Sequence, residues 1–322
     1  MIETLEIANF KSIKHLRLDC KRINIFIGKP NSGKSNILES LGIFSFPYKD
    51  LRSFVRFESP SNLFYDENIE EKVTIKADNN ILEIEFKEGS FRGKGINIKQ
   101  KTGILDFNID YEGSGSYSYS EEWRYPPIKF YRFVVRKDFP RKESEFLLPP
   151  SGENLLAIFL THKELRKVIA NIFSEYGLRI VLKPQENKIE VQKEIEDIII
   201  SYPYSLVSDT LQRVVFHLVA IETNKNSVII FEEPEAHAFP YYTKFLAERM
   251  ALDKKNQYFI STHNPYFILS ILEKASSEEL GIFITYFEDY QTKIKSLSKE
   301  EIEELMGLGA DLFFNIERFL EE

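Results

Sequence analysis

The residues whose types and spacing most clearly suggest chemistry run from Gly28 to Ser35, in the order Gly-Lys-Pro-Asn-Ser-Gly-Lys-Ser. This run matches the phosphate-binding pattern G-x-x-x-x-G-K-[ST] at every fixed position. The glycines let the backbone curl so that N–H groups face phosphate oxygens, Lys34 neutralises phosphate charge, and the Ser35 hydroxyl ligates Mg²⁺. A glycine turn with a purely structural role is disfavoured, because an apolar strand precedes the run and a helical pattern follows it.

Two carboxylates follow a second apolar segment. Residues 228–231 read Val-Ile-Ile-Phe, and Glu232, Glu233 and Pro234 come directly after them. Successive strand residues point in different directions, so one carboxylate suits a magnesium ligand and the other suits orienting a water molecule. Many strands end in acidic turns without function, but the presence of the phosphate loop favours the functional interpretation.

A histidine ends a third apolar segment. Residues 258–260 read Tyr-Phe-Ile, and Ser261, Thr262 and His263 follow. A histidine at such a strand end can place its imidazole over the terminal phosphate of a nucleotide. A single histidine is more often an ordinary surface or core residue. Its position at the third strand end of this kind favours a role in the site.

The elements that must position these residues are predicted from periodicity. Alternating patterns predict antiparallel strands in residues 5–18 and 73–111, and buried runs at 23–27 and 228–231 predict strands of a parallel sheet. Residues 112–121 are predicted to be a flexible loop, and 154–176 and 209–222 are predicted to be helices. We therefore expect one α/β unit with an N-terminal lobe (1–142), a helical lobe (143–205) and a C-terminal lobe (206–322).

Together these motifs resemble the ABC-type ATPase heads of SMC-like, RecF-like and overcoming-lysogenization-defect proteins, a class of P-loop NTPases. Asn9-Phe10-Lys11-Ser12 resembles the N-terminal turn of those heads, and Glu232-Glu233-Pro234-Glu235 with His237 resembles their Walker B segment. Ser261-Thr262-His263 is similar to their switch histidine. The stretch from Leu148 to Leu156 is similar to the entry into their helical lobe. The likeness spans nearly the whole chain.

The resemblance implies a role for each matching residue. Ser35 and Glu232 would ligate Mg²⁺, Glu233 would be the catalytic base, and His263 would sense the γ-phosphate of ATP. Two nucleotides would be sandwiched between two heads, so an ATP-dependent homodimer is expected. The nucleotide-binding residues would be Lys11, Ser12, Gly28, Lys29, Asn31, Ser32, Gly33, Lys34, Ser35 and Asn36.

One motif departs from the resemblance. The heads contribute a signature loop, opening a helix, to the nucleotide of the partner head, and the matching residues here are Ser208, Asp209 and Thr210. The glycine of that signature is absent from this sequence. In heads that have it, this glycine lets backbone N–H groups approach the phosphate closely. Ser208 can still cap the helix and contact phosphate in trans. We expect ATP binding to be retained and the trans contact to be weakened or unusual.

Two additions known in these families are missing from the sequence. No long coiled coil separates the phosphate loop from Ser208, and the roughly 60 residues after His263 are too few for a nuclease domain. The chain is expected to be a head alone that works with a separately encoded effector protein.

A basic stretch occupies residues 124–142, where seven Lys or Arg side chains meet one acid and alternate with aromatic residues. Such stretches can grip phosphates and stack bases, so DNA is a candidate partner. Two other structures would produce the same pattern. One is a half-buried strand with polar residues facing water, and the other is a surface for another protein. The alternation around Phe130 to Val134 favours the strand.

Composition limits the classes further. The 322 residues include 42 Lys plus Arg and 50 Asp plus Glu, a net charge of −8, and 43% of them are hydrophobic, which excludes a disordered chain. The acidic surplus lies in residues 201–322, so the net charge does not decide whether the rest contacts DNA. The single cysteine, Cys20, cannot form an internal disulfide, and no Cys/His cluster suggests zinc. The sequence lacks a signal peptide and an apolar run of about 18 residues, so no membrane contact and a cytoplasmic location are expected.

Two functions remain open from the sequence. One is a Mg²⁺-dependent ATPase that couples its nucleotide state to a partner protein or DNA, in genome maintenance or anti-phage defence. The other is a nucleotide-binding scaffold with little turnover, which the missing signature glycine favours.

Overall fold

The computed structural model describes residues 1–320, so Glu321 and Glu322 of the acidic C-terminal segment lie outside it. Within that range the strands are β1 (Thr4–Phe10), β2 (Ile13–Asp19), β3 (Ile23–Gly28), β4 (Val73–Ala77), β5 (Asn80–Lys87), β6 (Ser90–Asn97), β7 (Thr102–Ile109), β8 (Gly115–Tyr119), β9 (Ile128–Tyr131), β10 (Arg179–Lys183), β11 (Lys188–Ile195), β12 (Ile198–Pro203), β13 (Val228–Glu232), β14 (Gln257–Ser261), β15 (Leu280–Glu288) and β16 (Gln291–Ser296). The α-helices are α1 (Lys34–Gly42), α2 (Leu155–Thr161), α3 (Lys163–Ser174), α4 (Asp209–Thr223), α5 (Pro240–Leu252), α6 (Pro265–Leu272) and α7 (Lys299–Leu308).

The central sheet has six strands in the order β16-β15-β3-β14-β13-β9. β15, β3, β14, β13 and β9 run parallel to their neighbours, and β16 is antiparallel to β15. Every residue of β3 is buried, as the continuous apolar run predicts for a strand covered on both faces. The expected mostly parallel core sheet is therefore confirmed.

The two faces of this sheet belong to two hydrophobic clusters. Ile25 packs with residues of α4 to α7, whereas its neighbour Phe26 packs with α1 and the antiparallel sheet. This separation follows from strand geometry, because successive side chains point to opposite faces. Helix α1 presents Ile37, Leu38 and Leu41 to the Phe26 face at helical spacing. The molecule is thus layered, with the central sheet in the middle.

The antiparallel sheet has seven strands in the order β2-β1-β4-β5-β6-β7-β8. It confirms the antiparallel subdomain and the hairpin at Asp78 and Asn79, since Ala77 pairs with Asn80. Residues 1–142, the predicted N-terminal lobe, also contribute β3 and β9 to the central sheet, where these strands pair with β14 and β13.

Two segments differ from the sequence-based prediction. Residues 112–121 are not a flexible loop throughout, because β8 (Gly115–Tyr119) pairs with β7 along five residues. The predicted helix at 154–176 is interrupted at His162, whose backbone is not helical, so α2 and α3 are separate helices. The sequence pattern did not predict β8, because all five of its residues are solvent-exposed and show no apolar alternation.

The helical lobe (143–205) also holds a third sheet, with the order β10-β11-β12. Its strands have two buried residues, Ile189 and Val191, which belong to the larger cluster. The helical part of this prediction is confirmed by α2 and α3, and the strands were missed because their alternation is weak. Among residues 1–320, no helix combines the length and hydropathy needed to cross a membrane.

Candidate active site

The strand register gathers the predicted motifs at one edge of the central sheet. Gly28 ends β3 beside Thr285 of β15, and Glu232 ends β13 beside Ser261 of β14. Because carboxyl ends of parallel strands meet at the same edge, the residues that follow them surround one cleft of about 550 Å³. Its lining residues are Ser12, Pro30, Asn31, Ser32, Gly33, Lys34, Ser35, Asn36, Arg56, Glu233, Ser261, His263 and Phe287.

The loop from Gly28 to Ser35 has a backbone that only glycine supports at two positions. Gly28 has φ +149° and Gly33 has φ +94°, both in the left-handed region. A Cβ atom on Gly33 would lie 2.0 Å from Oγ1 of Thr292, so the loop packs directly on β16. Because the glycines have no side chains, the loop keeps an open concave surface. Phosphate oxygens can approach the backbone N–H groups there.

The side chain of Lys34 lies inside this loop and contacts its backbone. Its Nζ donates hydrogen bonds to the carbonyl oxygens of Gly28 and Lys29, each at 2.9 Å. Burial lowers the pKa of the Lys34 ammonium to about 8, and the nearby Glu233 carboxylate opposes that shift. A buried ammonium with a lowered pKa gains from an anion beside it, as phosphate binding requires. Ser35 lies next to it in the cleft.

Ser12 and Asn36 form the wall on the side of the antiparallel sheet. The Asn36 side-chain amide donates to Oγ of Ser12 at 2.6 Å, and that hydroxyl lies 2.7 Å from Oγ1 of Thr292. The structure thus places Ser12 in the cleft, where the resemblance put it. Its neighbour Lys11 points elsewhere, as its ammonium contacts the Glu39 carboxylate and the Arg56 carbonyl oxygen.

Glu233 and His263 face each other across the cleft. Oε1 of Glu233 lies 3.6 Å from Nε2 of His263. Burial and the charge of Lys34 lower the pKa of the His263 imidazole, while Glu233 acts in the opposite direction. This shift favours the uncharged form of the imidazole. Glu233 has φ +47°, a left-handed backbone, and its N–H donates to the Ser261 carbonyl oxygen at 2.9 Å.

Glu235 is a residue that the sequence analysis did not assign to the site. It is buried, and its Oε1 accepts hydrogen bonds from the Thr262 hydroxyl and from the backbone N–H of His263. Its Oε2 has no hydrogen-bond partner among the described residues. Burial raises the pKa of the Glu235 carboxyl to about 7, although the Thr262 hydroxyl opposes that shift. The only sequence signal was its place in Glu-Glu-Pro-Glu, which does not reveal the contact with His263.

Glu232, the predicted metal ligand, does not line the cleft. Its carboxylate pairs with Arg56 at 3.1 Å and with Arg132 at 3.7 Å. Both guanidinium groups also contact Glu39, a buried carboxylate on α1. Burial alone would raise the pKa of Glu39, but Lys11, Arg56 and Arg132 hold it below its usual value. Glu232 is thus part of an ionic cluster beside the cleft.

The donors around the cleft fit a magnesium ion that is held mainly by its nucleotide. No group of three or more His, Cys, Asp or Glu side chains that could hold a metal occurs in residues 1–320. Mg²⁺ commonly uses one or two protein oxygens together with substrate phosphates and water. Ser35 lines the cleft, whereas Glu232 lies outside its lining and is paired with Arg56 and Arg132.

The structure places Ser208 outside the cleft. Its hydroxyl accepts a hydrogen bond from the backbone N–H of Leu211 at 3.4 Å and caps α4, as the sequence predicts. The next residue but one, Thr210, donates to the carbonyl oxygen of His237 at 2.7 Å. The signature segment is therefore fixed against the Walker B segment.

Most cations of the basic stretch at 124–142 have hydrogen-bond or ion-pair partners within the protein. β9 lies in its middle with Lys129 buried, and the Lys129 ammonium donates to Oδ1 of Asn224 at 2.6 Å. Arg136 pairs with Glu153 at 3.3 Å, and Arg141 pairs with Glu143. The strand covers only four residues of the stretch and all four are buried, so the predicted half-buried strand with polar residues facing water is wrong. The ion pairs of Arg136 and Arg141 weaken the case for a nucleic-acid surface.

Comparisons with known proteins agree with this architecture. A family profile described as an AAA ATPase domain matches residues 1–212. An ATP/GTP phosphatase of Helicobacter pylori is 24% identical over 332 residues, which cover 87% of this chain and 89% of that protein. An uncharacterized protein of Methanocaldococcus jannaschii is 32% identical over 119 residues, covering 32% of this chain and 54% of that protein. The chain thus spans about half the length of the second of these relatives and most of the first.

Solved structures show the same fold at low identity. An Smc head bound to the C-winged helix domain of ScpA has a TM-score of 0.57 and 16% identity, covering 94% of this chain and 99% of its own. An Smc head with an extended coiled coil, bound to the C-terminal domain of ScpA derived from Pyrococcus furiosus, has a TM-score of 0.53 and 14% identity. That alignment covers 95% of this chain and 98% of the other. The chain has the fold of an SMC-type P-loop ATPase head.

Proposed function

Because this chain belongs to the family of AAA ATPase domains, we propose that it binds a nucleoside triphosphate with Mg²⁺ and hydrolyses the terminal phosphoanhydride bond. One observation carries this proposal. The cleft of about 550 Å³ unites the phosphate loop with Glu233 and His263, which come from two other strands of the sheet.

The phosphate loop provides binding and orientation. Backbone N–H groups between Ser32 and Ser35 lie at the N-terminus of α1, where the helix dipole favours an anion. Lys34 adds a positive charge beside the phosphates, and its hydrogen bonds to Gly28 and Lys29 fix its position before substrate arrives. The same residues hold the substrate in line for attack.

Glu233 is the proposed general base. Its carboxylate lines the cleft, and its Oε1 lies 3.6 Å from Nε2 of His263. As water attacks the γ-phosphorus, a bond forms from the water oxygen and the bond to the β–γ bridging oxygen breaks. Glu233 takes the proton of the water, and the neutral His263 donates a hydrogen bond to the γ-phosphate oxygens.

Ser35 and Glu232 are the residues proposed to hold Mg²⁺, which when bound neutralises charge on the phosphate oxygens. The pairing of Glu232 with Arg56 and Arg132 means that this carboxylate must act through a water molecule or exchange an arginine for the metal. The side chain of Glu232 is longer than that of an aspartate, and this length suits either arrangement.

Two substitutions test the assignment. Glu233→Gln should reduce phosphate release by about 100-fold or more, the size expected for loss of a general base, while ATP affinity is kept. Lys34→Ala should remove ATP binding itself. The matched control is Glu164→Gln on α3, which neutralises an exposed carboxylate far along the chain. Phosphate release and equilibrium binding are measured on the same preparations. Full activity in Glu233→Gln would reject it as the base, and unchanged affinity in Lys34→Ala would reject the phosphate site.

The alternative function is a nucleotide-binding scaffold with little turnover. It is favoured by the engagement of Glu232 with two arginines and by the absence of the signature glycine before Thr210. Under this alternative the parent binds ATP normally, and its phosphate release equals that of Glu233→Gln.

We further propose that the nucleotide state is read by other molecules, a second head or a separate effector protein. The Smc heads with this fold were solved bound to ScpA, which is a property of those proteins and a precedent for a protein partner here. A role in genome maintenance or anti-phage defence rests on the same resemblance. DNA has weaker support, because the cations of residues 124–142 mostly have internal partners. Phosphate release measured with and without double-stranded DNA tests that contact, and equal rates with no detectable binding would reject it.

A further inference from the structure

The proposed function explains the phosphates of the substrate and leaves its base unassigned. The hairpin of β15 and β16 lies beside the phosphate loop and was not part of any motif in the sequence. Thr285 of β15 pairs with Gly28, so the last residues of β15 extend beyond the loop. Phe287 is one of these residues, and it lines both the phosphate cleft and an adjoining cleft of about 390 Å³.

The side on which Phe287 projects follows from strand alternation. Phe283 stacks on Phe26 on the α1 side of the sheet, with ring centroids 5.3 Å apart. Thr285, two residues on, places its hydroxyl 2.7 Å from Oγ of Ser32 in the phosphate loop. Phe287, two residues further, therefore projects on the same side, above the loop. Its ring is not covered by the core, since 52% of Phe287 is solvent-exposed.

The hairpin that carries Phe287 is held on both sides. Asp289 and Tyr290 both have positive φ, as in a two-residue hairpin turn. The backbone N–H of Thr292 donates to the carbonyl oxygen of Ser12 at 2.7 Å. The Tyr65 hydroxyl donates to the carbonyl oxygen of Tyr290 at 3.2 Å. These contacts hold the backbone of the hairpin in place relative to the loop.

The direction of the nucleotide follows from the sheet order. Glu233 and His263 follow β13 and β14, which lie on one side of β3, whereas β15 lies on the other side. A triphosphate whose terminal phosphate faces Glu233 must therefore leave the loop toward β15. The ring of Phe287 is the apolar surface that lines the cleft on that side.

We propose that Phe287 is the stacking platform for the nucleobase, and that the site therefore recognises nucleoside triphosphates through the base as well as the phosphates. This proposal rests on the phosphate site of the proposed function. Stacking on an aromatic ring accepts any base because every base has a π-face, so ATP and GTP should bind with similar affinity. Inorganic tripolyphosphate, which has the phosphates alone, should bind more weakly.

The test compares three ligands, ATP, GTP and tripolyphosphate, in the presence of Mg²⁺. Base stacking is worth about 1–3 kcal/mol, so Phe287→Ala should weaken ATP and GTP by roughly 5- to 150-fold. Its affinity for tripolyphosphate should not change. Phe287→Trp should restore binding of both nucleotides. Tyr290→Ala is the matched control, because it removes an exposed aromatic ring from the same hairpin without touching the cleft.

Each outcome separates this proposal from the phosphate site. Unchanged nucleotide affinity in Phe287→Ala, or an equal loss for tripolyphosphate, would overturn the stacking role. Phe287→Leu keeps most of the apolar volume and serves if the alanine variant does not fold, with the same expected loss for nucleotides only. If Lys34→Ala keeps full affinity for all three ligands, the phosphate site itself is wrong and not merely the base contact.

Discussion

At the scale of single residues, the most unusual group is the buried carboxyl of Glu235. It contacts the hydroxyl of Thr262 and the backbone of His263, and so connects the segment after β13 with the segment after β14. One of its oxygens lacks a hydrogen-bond partner among the described residues. A buried carboxyl with an unpartnered oxygen favours the protonated state, as its raised pKa of about 7 indicates.

Glu235→Gln should change how stability depends on pH. The native carboxyl keeps its proton up to about pH 7, whereas the unfolded one releases it near 4.5, so its stabilising contribution is complete below pH 4.5 and is lost as pH rises through 7. Glutamine does not ionise. The variant should match the parent near pH 4.5 and exceed it at pH 8 by up to about 3 kcal/mol in the free energy of unfolding.

Urea unfolding of both proteins at pH 5 and pH 8 measures this difference, with Glu164→Gln as the control for an exposed carboxylate. An equal difference at both pH values would show that Glu235 is ionised in the native protein. Phosphate release from Glu235→Gln should stay measurable, because the amide can still accept hydrogen bonds from Thr262 and His263.

Ser208 gives a second prediction at this scale. Its hydroxyl caps α4, so Ser208→Ala should lower the free energy of unfolding by about 1 kcal/mol. Ser276→Ala is the matched control, since Ser276 precedes a short 3₁₀ helix without capping it through its side chain. Thermal unfolding of both variants decides the point. A loss no larger than that of the control would show that the cap contributes nothing.

At the scale of elements, the phosphate loop depends on β15 and β16 as much as on its own sequence. Thr285 bonds Ser32, and Thr292 occupies the space that a side chain at Gly33 would need. The motif explains why Gly33 must adopt a left-handed backbone. The adjoining strand β16 adds a steric reason for glycine at this position, which the motif does not contain.

Gly33→Ala should therefore weaken both folding and nucleotide binding. The substitution combines about 1–3 kcal/mol of backbone strain with a clash against Thr292. Gly89→Ala separates the two effects, because Gly89 also has a positive φ (+79°) but open space around its Cβ position. Chemical unfolding and ATP titration of both variants provide the measurement. Equal stability losses would mean that Thr292 moves aside freely.

At the scale of the whole molecule, an ionic cluster joins the antiparallel sheet to the central sheet. The buried carboxylate of Glu39 contacts Lys11 from the turn after β1, Arg56 from the segment after α1, and Arg132 directly after β9. Arg56 and Arg132 continue to Glu232 at the end of β13. The cluster thus connects the two hydrophobic cores next to the candidate active site.

Glu39→Gln should destabilise the protein by about 3–5 kcal/mol, because it leaves three cations beside a buried neutral group. Glu164→Gln again serves as the exposed control, with a change expected within about 0.5 kcal/mol. Urea unfolding measures both. A small loss in Glu39→Gln would show that the cations relax into water and that the cluster does not hold the two sheets together.

The sequence by itself determined the phosphate loop, the central strands and the two catalytic candidates. Glycine, lysine and serine at fixed spacing specify a phosphate loop locally, and buried apolar runs specify strands covered on both faces. Glu233 and His263 were predicted because each follows such a run, and the register of β13 and β14 then brings them within 3.6 Å.

Only the tertiary structure decided which side chains complete the site. Phe287, Arg56 and Glu235 lie far in sequence from the groups they serve, and Glu232 is engaged by arginines that no local pattern connects to it. β8 and the sheet of β10 to β12 were missed for the same reason. Their residues are mostly exposed, so strand pairing and not apolar alternation specifies them, and pairing between distant segments leaves little trace in a single sequence.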